Sequence, residues 1–291
     1  MLELNSTTQS PARIWSRGIA LGRAGFRRLF VLASLLGFIS LLPTLYLAEK
    51  LGNTAVTPES LLQLFKQGNF IGYMLLLELL VLVLSSFVNA LFIRRIDSVA
   101  QGILPAHELT FAVRKLPVLV LSGILFGITM LIGIFIAALI GTILGAVLGA
   151  ILGHGAAIAA TQTCVIAAAL FIIVNLLFFQ FAIVLDGKGP VSALNYSCAL
   201  VFRNWWRTFL VLLVTFIVIV VIAVAVMLPF VHWLPLLESV DTGRTLLVKG
   251  VLRLVAAAIL SPFIAGILYV LYRDLRVRHT HKITPTAAVQ A

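Results

Sequence analysis

Charged side chains are scarce in this sequence, at 11% of 291 residues, against roughly 25% in ordinary globular domains. Hydrophobic residues make up 62% of the chain, and the mean hydropathy is +1.15. This composition excludes an ordinary soluble domain, because several uncharged stretches exceed the roughly 18 residues that indicate a transmembrane helix. The sequence therefore predicts an all-α polytopic membrane protein, a bundle of transmembrane helices.

Acidic residues are also few, with 10 Asp and Glu against 21 Lys and Arg, for a net charge of +11. The basic residues lie in short clusters beside apolar spans, which is typical of membrane orientation and anionic lipid contact and not of nucleic-acid binding. We expect membrane lipids with anionic headgroups as partners, and no nucleic acid. The cations assigned to headgroups are Arg27, Arg28, Arg114, Lys115, Arg203 and Arg207.

Motifs for metal, redox or catalytic chemistry are missing. The two cysteines, Cys164 and Cys198, form no CxxC motif, and His279 and His281 alone fall short of a metal site. The sequence contains no GxSxG nucleophile turn and no phosphate-binding glycine loop of the Walker type. We therefore expect no enzymatic activity, no cofactor and no metal.

Hydropathy predicts six transmembrane helices, at about 29–48, 71–93, 118–140, 162–185, 208–228 and 251–272. With six crossings, sixteen cationic residues fall on one side of the membrane and five on the other. Because Lys and Arg are enriched in cytoplasmic loops, both termini are predicted to be cytoplasmic. The first apolar run is longer than a typical signal-peptide core, so we expect it to be retained as the first span.

The region between residues 118 and 185 is an uncharged run of 68 residues, long enough for three crossings at about 20 residues each. Three crossings would change the charge asymmetry to twelve against nine, so two are favoured. About 20 residues around GTILGAVLGAILGHG are then left over. This stretch is expected to dip into the membrane, lie along its outer surface, or prolong the third helix.

The chain repeats one pattern three times: a proline, a short amphipathic segment, a basic residue and a pair of spans. The prolines are Pro11, Pro105 and Pro190, and proline suits the first turn of a helix. The units, about 9–93, 99–185 and 188–273, indicate a threefold repeat of helix pairs with cytoplasmic interfacial amphipathic helices. Any membrane protein can have basic loops before its spans, so the recurring basic residues do not require a repeat. The recurring prolines are not explained in this way. Residues 1–291 are predicted to form a single integral membrane domain, ending in a cytoplasmic tail at 274–291.

The sequence LDGKGPVSALNYSCALVFRNWWRTF follows span four, and RR, a short helix and KLP precede span three. These features resemble the YciC-like family of bacterial inner-membrane proteins, which is similar to the membrane domain of some glycerophosphodiester phosphodiesterases. The resemblance covers most of the chain and implies six spans and a role in envelope or membrane maintenance. It supplies no catalytic residues, and the glycine-rich insert at 141–159 departs from the family pattern.

Polar residues within the predicted spans are candidates for a functional path. Glu78, Ser85 and Asn89 lie on one side of span two, and an intramembrane carboxylate is costly enough to suggest a function. We expect Glu78 to face the bundle and to pair with Arg253, as a structural ion pair, a protonatable group of a transport path, or a lone neutral acid. The further polar candidates are Asn175, Gln180 and Lys249. Asn175 and Gln180 are expected mainly to bond neighbouring helices.

Small residues recur at every fourth position from Thr129 to Ala157, including Gly133, Gly141, Gly145, Gly149 and Gly153. A face of small residues lets another helix approach closely. Packing within the chain, homo-oligomerisation and a re-entrant pore lining are the three alternatives. An unbroken helix over 118–153 would measure about 54 Å at 1.5 Å per residue, so a break is expected near Gly141 or at Gly153.

These observations favour a non-enzymatic multi-pass protein of the bacterial cytoplasmic (inner) membrane. It would serve envelope or membrane maintenance, handling lipid or amphipathic solutes. The alternatives are a permease or channel subunit that uses the polar stripe around Glu78, and a membrane-embedded lipid enzyme. A polar cavity reaching Glu78 would favour the permease, and a lateral lipid groove would favour lipid handling.

Overall fold

The computed structural model of the chain describes residues 9–51, 64, 66, 68–103, 107–228 and 242–283. Long helices dominate these residues, and they are numbered here in chain order. They are α1 (Pro11–Leu51), α2 (Phe70–Gln101), α3 (Glu108–Leu152), α4 (His154–Leu176), α5 (Phe179–Asp186), α6 (Pro190–Phe202), α7 (Trp205–Met227) and α8 (Thr242–Ile283).

Six helical segments are long and apolar enough to cross a membrane: Pro11–Lys50, Phe70–Gln101, Glu108–Leu152, His154–Asp186, Trp205–Ala225 and Gly250–Thr280. Each predicted span overlaps one of them over most of its length, so the prediction of an all-α helical bundle is confirmed.

The predicted amphipathic segments differ among themselves. The first two are the beginnings of α1 and α3, whereas the third is a separate helix, α6, which begins with Pro190 at its first turn. Pro105 lies outside the described residues.

The chain divides into two compact units, Met1–Leu116 with Leu210–Asp274, and Pro117–Phe209 with Leu275–Ala291. In unit 1, α1 and α8 approach with their backbones in contact. A Cβ atom added to Gly18 would lie 2.5 Å from Cα of Ile267, and one added to Gly22 would lie 2.7 Å from Cα of Phe263. Glycine at both positions is therefore a requirement of this crossing.

Buried carboxylates lie at the highly basic ends of the unit 1 helices. Asp97, near the end of α2, accepts hydrogen bonds from the hydroxyl of Tyr269 at 2.7 Å and from the side chain of Gln101 at 2.9 Å. Asp274 on α8 accepts the backbone N–H of Gln9 at 2.6 Å, just before α1 begins. Each acid therefore fixes an end of one helix against another segment of the unit.

In unit 2, α3 and α4 form a hairpin around Gly153, whose φ of +92° is unfavourable for residues with a side chain. α3 runs without a break through Gly141 and ends at Leu152. A Cβ at Gly141 would lie 2.8 Å from Cα of Thr161, and one at Gly145 would lie 2.7 Å from the carbonyl oxygen of Ala157. The small face of α3 is thus in close contact with α4 of the same chain, and the helix break lies at Gly153.

Large apolar side chains of this hairpin are exposed toward Gly153 and buried toward the opposite end of α4 and α5. Leu131, Ile143, Ile151 and Leu152 are all more than half exposed, while Val174, Leu176 and Phe178 are buried. Continuous apolar exposure on this scale suits contact with lipid.

Candidate functional site

The site is built where the chain reverses at the end of α5. Gly187 follows Asp186 with φ +68°, and the backbone N–H of the next residue, Lys188, donates to the carbonyl of Ala182 at 3.1 Å. The left-handed conformation favours glycine and ends the helix. After Gly189, Pro190 begins α6, which returns along α5 and the end of α4.

A serine bridges the helix break that α6 covers. The hydroxyl of Ser197 donates to the carbonyl of Asn175 at 2.8 Å and accepts the backbone N–H of Phe178 at 3.1 Å. Residues 177 and 178 separate α4 from α5, so this one buried side chain satisfies two backbone groups that the break would otherwise leave without partners. It thereby fixes α6 against α4.

An ion pair closes the same turn within unit 2. Arg276 lies 2.8 Å from the carboxylate of Asp186, whose side chain is 8% exposed. The ammonium of Lys188 lies 5.0 Å from the centre of the Tyr196 ring, and His279 meets that ring edge-on at 5.8 Å. Burial raises the pKa of Tyr196 above its ordinary value of 10.0; the nearby Asp186 carboxylate adds to this rise, whereas Arg276 opposes it. The turn is therefore held by charge as well as by packing.

The turn from α6 to α7 carries aromatic and basic side chains. The ring of Trp205 stacks on Phe209 at 5.0 Å and meets Trp206 edge-on at 4.8 Å. Phe171 of α4 contacts Trp205 at a ring separation of 6.0 Å. Arg203 is exposed and Arg207 is half-buried. This combination of indoles and guanidinium groups is typical of the headgroup region of a membrane.

Two adjoining concave surfaces surround this turn. The first, the apolar groove, has a volume of about 470 Å³ and is lined by Thr129, Phe171, Ile172, Asn175, Leu176, Cys198, Ala199 and Phe202. The second, the basic pocket, has a volume of about 490 Å³ and is lined by Phe171, Phe202, Arg203, Asn204, Trp205, Trp206 and Arg207. Phe171 and Phe202 line both, so the groove and the pocket adjoin each other. Each volume lies within the roughly 300–1,000 Å³ of ligand sites.

Two polar atoms beside Phe171 are buried without a hydrogen-bond partner among the described residues: Oδ1 of Asn175 and Nε1 of Trp205. The Asn175 side chain does donate to the carbonyl of Phe171 at 2.7 Å. Cys198, which lines the apolar groove, has its pKa raised by burial. The thiol therefore contributes to the groove as a neutral, weakly polar group.

The side chain of Glu78 was expected to face the bundle, but it is exposed. Phe70 at the start of α2 is buried and stacks on Tyr46 of α1, but no residue between Phe70 and Ser86 is buried. Ser85 and Asn89, farther along the same stripe, are half-buried. The side chain of Arg253, the expected partner of Glu78, lies outside the described residues, as does that of Lys249.

The other predicted residues are distributed over both units. Asn175 lies at the groove, and Gln180 is half-buried on α5. Among the headgroup cations, Arg203 and Arg207 come together at the basic pocket. The remaining four, in unit 1, are exposed or half-buried: Arg27, Arg28, Arg114 and Lys115. Gly133 and Gly149, like Gly141 and Gly145, face α4 at close range.

The sequence reading did not assign a binding role to Thr129, Phe171, Cys198 or Phe202. A sequence pattern could have pointed to Cys198, because this residue belongs to the apolar stripe that runs along α6 to Trp205. No local pattern could have identified the groove residues of α3 and α4, since they line the groove only because α6 packs beside them. Across the described part of the chain, His, Cys, Asp and Glu form no group of three or more that could hold a metal ion.

A family model described as Domain of unknown function (DUF7847) covers residues 36–275. No curated protein and no solved structure matches the chain.

Proposed function

We propose that this chain, which belongs to the DUF7847 family, is a non-enzymatic multi-pass protein of the bacterial cytoplasmic (inner) membrane that handles lipid or an amphipathic solute. Its role would lie in envelope or membrane maintenance, as the resemblance to YciC-like proteins also implies. Both termini are placed in the cytoplasm by this proposal, with the basic ends of the helices on anionic headgroups.

The observation that carries the proposal is that the apolar groove and the basic pocket adjoin each other. An amphiphile has a polar head joined to an apolar tail, and this surface offers a matching pair of environments that share Phe171 and Phe202. A soluble polar solute would gain nothing from the groove, and a purely apolar one would gain nothing from the arginines.

The buried atoms at the site support the same proposal. An unsatisfied buried polar group costs about 1–3 kcal/mol, and such groups are uncommon enough to call for an explanation. Asn175 and Trp205 each carry one beside Phe171. A ligand with polar groups near its head would supply both atoms with a hydrogen-bond partner.

The permease alternative is less favoured by the geometry. It requires Glu78 to lie along a protected polar path, whereas the side chain is exposed on a part of α2 where no residue between Phe70 and Ser86 is buried. Replacing Glu78 with Gln provides the test in reconstituted vesicles. Lipid handling predicts unchanged folding and lipid retention, whereas a proton- or ion-coupled permease predicts loss of solute flux.

The test of lipid handling is native mass spectrometry of the protein extracted together with its lipids. We expect at least one lipid to remain bound after detergent removal. In Ala199→Phe the added ring would fill the apolar groove, and retention should fall. Gly127→Ala, at a position where an added Cβ meets no atom within 4 Å, serves as the matched control. Equal retention by both variants and the original chain would contradict the proposal.

A further inference from the structure

The amide of Asn175 brings a hydrogen-bond acceptor to the wall of the apolar groove. The residue lines the groove although only 4% of its surface is exposed, and its Oδ1 atom has no hydrogen-bond partner among the described residues. Resting on the proposed function, we infer that the ligand of the apolar groove is a neutral lipid with a free hydroxyl group, which donates a hydrogen bond to Oδ1 of Asn175.

Hydrogen bonds fix the orientation of this amide. Its Nδ2 atom donates to the carbonyl of Phe171 at 2.7 Å, which identifies the nitrogen, because a carbonyl oxygen accepts and cannot donate. The hydroxyl of Ser197 on α6 donates to the backbone carbonyl of Asn175 at 2.8 Å, and not to its side chain. α6 therefore holds the residue in place without using Oδ1.

An acceptor in an apolar groove selects a donor. A buried polar atom without a partner is costly, and Oδ1 of an amide can only accept a hydrogen bond. The hydroxyl of Thr129, which also lines the groove, already donates to the carbonyl of Leu125 at 2.8 Å, so it offers a ligand only its lone pairs. The hydrogen atom must therefore come from the ligand.

The lining of the groove determines which donor fits. None of the eight described residues that line it is charged, so an ammonium group would lose its hydration without gaining a counter-ion. The ester oxygens and hydrocarbon of an ordinary diacyl tail carry no donor and would leave Oδ1 unsatisfied. A hydroxyl group is neutral, and unlike an amide N–H it brings no carbonyl that needs a donor of its own.

The size of the groove suits a single chain. At roughly 30 Å³ for each water-sized group, a volume of about 470 Å³ holds about fifteen heavy atoms, the size of one long-chain alcohol. Cys198 is half-buried and lines the same groove, so a bound chain would cover its thiol. The reactivity of this thiol therefore reports whether the groove is occupied.

The experiment compares 1-hexadecanol with its methyl ether, which has the same chain but no donor. The full-length Cys164→Ser protein is labelled with a maleimide at one fixed alkaline pH and in one detergent, with either compound at increasing mole fraction. We expect the alcohol to protect Cys198 at a mole fraction about tenfold lower than the ether, because only the alcohol gives Oδ1 of Asn175 a hydrogen bond.

Asn175→Leu removes the acceptor and keeps a side chain of similar size. The two compounds should then protect Cys198 at mole fractions within about twofold of each other. Gln180→Leu is the matched control, because Gln180 carries the same amide group and is half-buried on α5, outside the lining of the groove. This control should keep the difference between the compounds. The labelling rate without either compound shows whether α6 still packs against α4 in each variant.

The outcomes separate the inference from the function on which it rests. Equal protection by the alcohol and the ether in the protein with Asn175 would overturn the inference and leave lipid handling intact, and this comparison needs no variant that might be unstable. Protection by neither compound would also overturn it, and the lipids retained in native mass spectrometry would decide separately on the proposed function. A difference that persists in Asn175→Leu would show that another group binds the hydroxyl, and the inference would fail.

Discussion

Tyr269 and Asp97 form a buried contact between residues that are 172 positions apart. Neither residue attracts attention in the sequence: the tyrosine lies in an apolar span, and the acid follows a pair of arginines that suggest a solvated helix end. The structure buries both side chains. A carboxylate in such a place needs its donors, because a buried charge without partners is expensive.

Tyr269→Phe removes one of those donors without changing the ring. We expect a loss of stability of about 1–3 kcal/mol, the usual cost of leaving a buried group short of a hydrogen bond. Thermal or denaturant unfolding in detergent measures it. Tyr73→Phe is the matched control, since Tyr73 is 57% exposed, and it should change stability by less than about 0.5 kcal/mol. Equal effects of the two variants would contradict the assignment.

Cys198 offers a pH-dependent probe of the apolar groove. Its pKa is raised from the ordinary value of 9.0 by burial, and only the thiolate reacts with maleimides. In a Cys164→Ser background, labelling should therefore be slow near neutral pH and reach half its maximal rate only above pH 9. Unfolding in strong detergent should restore ordinary thiol reactivity. A folded protein that labels as fast as the unfolded one would show that the groove is not packed as described.

At the scale of helices, the glycines that matter are those whose missing side chain faces another backbone. Gly145 and Gly127 lie on the same helix, α3, but only Gly145 is in close contact with α4. The spacing of small residues in the sequence predicted the close contact at Gly145, because small residues at every fourth position define one face of the helix.

Gly145→Ala should destabilise the hairpin by about 1–3 kcal/mol, the usual cost of overpacking, because its Cβ would lie 2.7 Å from the carbonyl oxygen of Ala157. Gly127→Ala should be neutral or stabilise by up to about 1 kcal/mol, since alanine is the better helix former. Denaturant titration of both variants in the same detergent tests the difference. Equal values would indicate that α3 and α4 are farther apart.

The sequence supplied the helices and the hairpin contact because both depend on local patterns, namely apolar length and small-residue spacing. It missed the crossing of α1 and α8 at Gly18 and Gly22, although these residues are also four apart. Their partner lies about 250 positions away, and the arginines that flank this segment, Arg17 and Arg23, suggest an interfacial surface instead of a helix crossing. Glu78 was expected to face the bundle but is exposed, on a part of α2 where no residue between Phe70 and Ser86 is buried.

For the whole molecule, the open prediction is its orientation in the membrane. Single cysteines at Lys188, Thr280 and His154, in a chain lacking Cys164 and Cys198, can report it through an impermeant maleimide. Lys188→Cys and Thr280→Cys should label from one side, where most cationic residues are predicted, and His154→Cys from the other. If the first two labelled from opposite faces, six crossings with both termini on one side would be excluded.

The hydrogen bond from Gln9 to Asp274 joins residues 265 positions apart, which has a consequence for biosynthesis. Ribosomes extend chains at about 5–20 residues per second, so the beginning of α1 waits many seconds before its partner emerges. The hairpin of α3 and α4, by contrast, is complete once residue 176 has left the exit tunnel. Insertion of this protein therefore leaves the face of α1 that packs against α8 without its partner until the last of the described helices has been made.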